Sequence, residues 1–428
     1  MKNIIRIQNI KDANNKVVLG LIGAGGRGTK LILDINSTCP GVEVKYICDV
    51  DKTRGGRAIN ELEKKQGYKP QWVEDMRKVF DDNDVDAVVI ATPEHWHALA
   101  FIWACQAGKD IYIEKNISQS IPEGLKMIEA CQKYGNIVQV GTQNRSAEFG
   151  MNARDYIKEG RLGKIVSVKS NCLLPGHLAW SLKPDEPAPE TLNWDMWLGP
   201  APKVPYNVSR HKAPYDWWDY SPGLQMAMAA HVVDLTRMVL NDPDDPKSVY
   251  CAGGRVLYDD KRDIPDIQTV TFEFDDYPLT MESARFGNYL SKSGPEVRFS
   301  DKFPEWEQSA TRIEIYGTQG LMLLGIMGGG WQVFGEDGQV NDQESGYFPD
   351  EAHIKNFIDC VRTRKNPNGD LVQGHKGATL IHLANLSYRV GNMQLCFDSQ
   401  SGKITNSEEA NRISEGYYRE PYTLPKEV

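Results

Sequence analysis

Residues 17–28, VVLGLIGAGGRG, constrain the fold more than any other stretch of this chain. An apolar run of this length reads as a parallel strand buried on both faces. It breaks at once into glycines, and TKLILDI then opens a helix. Gly23, Gly25 and Gly28 fit G-x-G-x-x-G. The first glycine permits a tight turn, the second lets a pyrophosphate approach the backbone, and the third lets helix pack on strand. Gly26 and Arg27, inside the turn, fall where free N–H groups and the helix dipole favour an anion.

The surrounding sequence fits a dinucleotide site. A second strand, VEVKYICD, ends at Asp49, 21 residues past Gly28. An acidic residue there can bind the hydroxyls of the adenosine ribose. Further strand signals follow at 84–92, 109–114 and 135–142, with helical stretches between them. Strands alternating with helices predict an open, doubly wound parallel sheet. Three polar clusters stand at the carboxyl ends of its strands, the edge where such sheets bind ligands. They are Thr92-Pro93-Glu94-His95-Trp96-His97, Glu114-Lys115 and Thr142-Gln143-Asn144-Arg145. Thr92, Pro93, His97, Glu114 and Gln143 are the cofactor-binding candidates on this rim, and Arg145 is a substrate candidate.

After residue 145 the period changes. Runs at 164–173, 248–256, 268–274, 279–286 and 312–317 alternate apolar with polar residues. That pattern predicts an antiparallel sheet with one covered face. Connections at 175–222 and 287–310 are longer than loops usually are unless they serve a site or an interface. The first contains Trp194, Asp195, Tyr215, Trp218 and Asp219. Aromatic faces suit the C–H faces of sugar rings, and the polar neighbours suit hydroxyls. These five are therefore substrate candidates. Near the end, HIKNFIDCVRTRKNP and HKGATLIHLANLSYRVGN have helical spacing.

At 428 residues the chain is too long for one typical core. We expect an arm at 1–16, a dinucleotide domain at 17–145, an α/β substrate and oligomerisation domain at 146–395, and a tail at 396–428. The net charge of −9 argues against nucleic acid or an anionic membrane as a main partner. The eight cysteines form no C-x-x-C and no close Cys/His pairing, which speaks for buried thiols over disulfides or a metal site. No run of 18 apolar residues exists to span a membrane. The first residues have no apolar leader core, so the expected compartment is the cytoplasm, or the periplasm if a signal peptide was removed upstream.

With these residues in place, the chain resembles the Gfo/Idh/MocA oxidoreductases. The glycine fingerprint, A-T-P-x-x-x-H ending at His97, and E-K at 114–115 carry the likeness. So do GTQNRS (141–146), EGRLGKI (159–165), IYGTQG (315–320) and the two C-terminal helical segments. The resemblance implies a Rossmann domain followed by an α/β domain whose large open, mainly antiparallel sheet often forms the subunit interface. A homo-oligomer, dimer or tetramer, is therefore expected. It also implies NAD and a sugar, glycoside or cyclitol substrate.

Relatives typically have E-K-P, whose Lys lies at the junction of nicotinamide and substrate hydroxyl; Lys115 takes that role by resemblance. Position 116 is Asn, so a cis bond there is not assumed, because cis before a non-Pro residue costs about 2.5–4 kcal/mol. A second motif, D-x-G-x-H-x-x-D, reads Ala227-Met228-Ala229-Ala230-His231-Val232-Val233-Asp234 here. It makes His231 the catalytic base, expected near the usual imidazole pKa of about 6.5, and it lacks the first Asp. Asp195, Tyr215 or Asp219 is expected within hydrogen-bond reach of His231 or of a bound sugar in its place. The reaction implied is hydride transfer between nicotinamide and a secondary hydroxyl. The alternatives are redox-neutral glycoside cleavage through a keto-sugar, and a non-enzymatic nucleotide-sensing or scaffold protein.

Overall fold

A computed structural model describes residues 16–175, 182–257, 259–286 and 289–428. The expected arm, apart from Lys16, lies outside the described residues. Strands β1 (Val17–Ile22), β2 (Val42–Cys48), β3 (Gln71–Val73), β4 (Ala87–Ile90), β5 (Asp110–Ile113) and β6 (Val138–Val140) form one sheet. Its order is β3-β2-β1-β4-β5-β6, with every pairing parallel. Leu19, Leu21, Val88, Val89, Ile111 and Ile113 are fully buried, as runs covered on both faces should be. Strand order reverses between β1 and β4. A crevice at that switch point opens above Gly23 and Thr92, where the two strands end.

The second sheet contains β7 (Ile165–Pro175), β8 (Ser248–Gly254), β9 (Ile267–Glu273), β10 (Pro278–Phe286), β11 (Thr311–Gly317), β12 (Gly320–Gly325), β13 (Trp331–Phe334), β14 (Val340–Glu344), β15 (Leu395–Asp398) and β16 (Lys403–Ile404). Its order is β14-β13-β12-β11-β7-β10-β9-β8-β15-β16. Only the β7–β10 pairing is parallel. On β9, Val270 and Phe272 are buried while Thr271 and Glu273 face water, so one face is covered. Helices Leu224–Val239 and Leu371–Arg389 supply the cover.

Part of the C-terminal third leaves the second sheet and packs on the first. Ile354, Phe357, Ile358 and Val361 of helix Asp350–Thr363 join the core of the first sheet beside Tyr112. Gln139 Nε2 donates to the His353 carbonyl (2.6 Å), which fixes that helix against β6. Tyr422 and Val428 also pack on the first sheet's core. The helix spacing was legible, but its docking partner lies more than 200 residues upstream. The consequence for the site is that Asp350 reaches the crevice.

Candidate active site

The crevice holds two adjoining cavities. The first, ≈ 300 Å³, is lined by Gly23, Gly25, Gly26, Arg27, Asp49, Thr92 and Pro93 among others. Gly23 has φ +91°, and a Cβ there would meet the Ala91 backbone at 2.7 Å. A Cβ on Gly28 would lie 2.0 Å from the Gly23 carbonyl oxygen. Only hydrogen at these positions leaves the turn closed and the N-terminus of helix Gly26–Thr38 open, so the cradle fits a dinucleotide pyrophosphate. Asp49 accepts N–H bonds from Ala24 (2.8 Å) and Asp51 (2.9 Å), which aim its carboxylate. Its remaining lone pairs are available to ribose hydroxyls.

The second cavity, ≈ 400 Å³, shares Arg27, Ala91, Thr92 and Tyr215 with the first, so the two adjoin across these residues. Its wall includes Lys115, His231, Gln143, Glu114, Glu94 and Lys292. Lys115 is therefore a cavity residue. Glu114, beside it, does not pair with it: Arg27 Nε donates to Glu114 Oε1 (2.8 Å), and its Nη atoms donate to Asp350 (3.1 Å each). That bridge spans the crevice from the first sheet to helix Asp350–Thr363. The Lys115–Asn116 peptide is cis despite the missing proline. The His97 ring lies between the carbonyl oxygens of Asn116 (2.5 Å) and Thr92 (2.9 Å). It is buried and ties two rim turns together, outside either cavity wall.

His231 projects from helix Leu224–Val239 into the second cavity. No hydrogen bond to its ring exists among the described residues. Ala227, one turn earlier, is buried and offers no acceptor. Burial pushes the imidazole well below its ordinary pKa, and the positive charges of Lys115, Arg27 and Lys292 push the same way. His231 is neutral at physiological pH and a weaker base than the sequence suggested. The expected compensating hydrogen bond to His231 from Asp195, Tyr215 or Asp219 is absent.

Glu94 is the unexpected member of this wall. It is 3% exposed, and its Oε1 has no hydrogen-bond partner among the described residues. Burial raises its pKa to about 7, against the opposing pull of Lys115, the Ser221 hydroxyl and the Asn116 N–H. Lys292, from the connection at 287–310, faces the same space. Burial pushes its ammonium down. The length of that connection was a signal for a site there, but nothing singled out this lysine. Glu94 follows Thr92-Pro93 directly, and the rim position was the only hint.

Among the sequence-chosen substrate residues, Tyr215 reaches the cleft and lines both cavities. It rides on a turn whose Asp216 is anchored by Arg262 (3.2 Å) and Arg285 (2.8 Å). The others line neither cavity. Trp194 stacks on Trp197 with centroids 4.7 Å apart and donates Nε1–H to the Val204 carbonyl. Trp218 lies under the Arg389 guanidinium. Asp195 pairs with Arg419 (3.2 Å) and Asp219 with Arg210 (3.0 Å). Arg145 is spent on Asp234 (2.8 Å) and Asp242 (2.8 Å), holding helix Leu224–Val239 from below. The connection itself is anchored to the first domain through its backbone: Leu192 bridges to Asp51, and the Trp96 indole N–H donates to the Met196 carbonyl (3.0 Å).

Among the described residues no group of three His, Cys, Asp or Glu could hold a metal ion. No helix among them is long and apolar enough to cross a membrane.

Residues 17–142 match the oxidoreductase family with NAD-binding Rossmann fold, and residues 178–277 and 329–424 match that family's C-terminal α/β domain. The chain is 25% identical over 306 residues to the uncharacterized oxidoreductase YrbE of Bacillus subtilis, covering 71% of this chain and 72% of that protein. It is 30% identical over 155 residues to scyllo-inositol 2-dehydrogenase (NAD(+)) of the same organism, covering 36% of this chain and 44% of that one. In fold it is similar to myo-inositol dehydrogenase from Lactobacillus casei, solved with NAD(H) and myo-inositol. That likeness has a TM-score of 0.62 at 16% identity and covers 90% and 97% of the two chains. With a glycine cradle shaped for a dinucleotide and both halves of the chain matched, this protein belongs to the NAD-binding Gfo/Idh/MocA oxidoreductase family.

Proposed function

We propose that the protein transfers hydride between NAD and a secondary hydroxyl of a sugar, glycoside or cyclitol. The observation that carries this is the adjacency of the two cavities: the glycine cradle adjoins, across Arg27, Thr92 and Tyr215, a space walled by Lys115 and His231. Gly23, Gly25, Gly26 and Asp49 would hold the dinucleotide. NAD, when bound, supplies the hydride acceptor or donor. The chain's own residues do the remainder. Lys115 Nζ hydrogen-bonds the reacting oxygen and stabilises the charge it develops. His231, neutral, accepts or donates a hydrogen bond at the same oxygen and orients it. Gln143 and Tyr215 offer further polar contacts at the cavity mouth. The names of the inositol dehydrogenases to which the chain is similar favour a cyclitol among these substrates.

Division of labour between residues 17–145 and the second sheet belongs to the same proposal, as does assembly through that sheet's uncovered face. The test is incubation of the purified protein with NAD and a panel of inositols, anhydrosugars, aldoses and glycosides. Absorbance reports NADH, and mass spectrometry reports products. Net NADH with a matching ketone is the expected result. Release of an aglycone without net NADH would replace the proposal with redox-neutral glycoside cleavage. No turnover and no NAD binding would leave a non-enzymatic protein.

A further inference from the structure

The missing Asp at position 227 leaves a gap in the proton path. Oxidising a hydroxyl releases a proton, and a neutral histidine with a strongly depressed pKa and no supporting acceptor holds it poorly. A lysine ammonium cannot take a proton unless it passes one on. The cavity wall must therefore contain another acceptor, and its carboxylates are few. Glu114 and Asp350 are both committed to Arg27. Asp234 faces away, into its pair with Arg145. Glu94 alone on this wall has a buried carboxyl oxygen with no partner.

We propose that Glu94 is the terminal proton acceptor of the site, working through Lys115 and replacing the Asp–His pair of relatives. This rests on the proposed function. Lys115 Nζ does not touch Glu94 Oε1 in this structure, so the lysine swings between them: the substrate O–H bond breaks, its proton goes to Lys115 Nζ, and Lys115 gives one of its own protons to Glu94 Oε1. The oxygen's electron pair becomes the second C–O bond as the C–H pair leaves to the oxidant named above. One carboxylate becomes one carboxylic acid, and charge balances. In the reverse direction the acid returns its proton by the same route.

The surroundings support this assignment. Glu94 sits at the carboxyl end of β4 and Lys115 at that of the adjacent β5, so neighbouring strands present the two groups to one space. The groups that face Glu94 are Lys115 from the β5 end, Ser221 and Tyr215 from the long connection, and the Asn116 backbone. His231, Lys292, Arg27 and Glu114 face the same cavity from its other walls. A carboxyl that titrates near neutrality is matched to both accepting and returning a proton. A buried carboxyl oxygen left unpaired is otherwise a cost with no return.

The test uses Glu94→Gln, which keeps shape, and Glu94→Asp, which keeps the acid. First, difference infrared titration of the full chain without substrate should show a carboxylic acid C=O band lost between pH 6 and 8 in wild type. Glu123 and Asp234 titrate in the same range, so the band should shrink by one carboxyl in Glu94→Gln and keep its wild-type amplitude in Glu94→Asp. Second, with whichever substrate turns over, Glu94→Gln should lower kcat about 10²-fold or more. It should also abolish the limb near pH 7, with NAD affinity and KM little changed, and Glu94→Asp should restore part of the rate. A band unchanged by Glu94→Gln overturns the assignment even if no substrate is found, so failure of the proposed function is read separately. An unchanged kcat with an intact pH limb overturns it too. So does a loss confined to NAD affinity, which would make Glu94 a cofactor contact.

Discussion

Replacing Arg145 with Met separates the structural from the substrate-binding reading of that residue. Its side chain is 5% exposed and that of Asp234 is 2% exposed, with Nε and Oδ1 2.8 Å apart. Even beside the guanidinium, burial pushes the Asp234 carboxyl up to about 6, and its Oδ2 has no partner among the described residues. Removing one member of such a pair costs about 3–5 kcal/mol, because the other is left buried and uncompensated. The loss should depend on pH. Asp234 already has a folded pKa above its unfolded value, and without Arg145 that folded value rises further. A group of this kind contributes most below its unfolded pKa of about 3.9, and its contribution falls as pH rises through the folded one. In wild type that fall ends near pH 6. In Arg145→Met it continues above pH 6, at up to about 1.4 kcal/mol per pH unit. Urea unfolding at pH 5 and pH 8 should therefore show a markedly larger deficit at pH 8. Arg145→Met combined with Asp234→Leu should recover much of it, since neither member of the pair is then left buried without the other. A deficit under about 1 kcal/mol, or one equal at both pH values, refutes the argument. Normal stability with a raised KM would return Arg145 to the substrate site.

Lys115→Ala should lower kcat by about 10²-fold or more while leaving urea unfolding and NAD titration nearly unchanged; normal turnover would reduce Lys115 to a bystander. Gly28→Ala should abolish NAD binding by fluorescence titration, because its Cβ would fall 2.0 Å from the Gly23 carbonyl oxygen; retained affinity would show that the turn can open without cost. Asp49 should hold ribose hydroxyls and repel a 2′-phosphate, so calorimetry should find NADH bound more tightly than NADPH. Asp49→Ser should narrow that gap, and tighter NADPH binding by wild type would refute the assignment.

What the sequence by itself determined is what depends on near neighbours along the chain. The tight turn at Gly23 needs a positive φ and the close approach at Gly28 needs hydrogen, and both demands are written within six residues. The apolar runs of β1, β4, β5 and β6 were legible because each strand is buried on both faces, whereas β2 alternates buried Val42 and Val44 with half-buried Glu43 and Lys45. Strand β3, only Gln71–Val73, carries too few residues for a pattern. In the second sheet the alternation of β9 could be read locally, whereas β13 and β14 pair around a glycine-rich turn and an exposed edge.

Side-chain fate belonged to the tertiary structure. Arg145 and Glu94 stand on the same rim in sequence, yet Arg145 meets Asp234 and Asp242 from some 90 residues away while Glu94 keeps one carboxyl oxygen, Oε1, without a partner among the described residues. Trp194 could stack on a sugar, but Trp197 one helical turn on takes its face, and the fold brings Tyr206, His211 and the Val204 carbonyl to its edge. His231 was expected near its reference pKa because a sequence contains no dielectric. Burial among Lys115, Arg27 and Lys292, from three distant segments, lowers it. Whether a polar group is paired, spent or left free is set by partners that only long-range packing brings within 3 Å or so, and that is why the cleft was legible in the sequence while the division of labour within it was not.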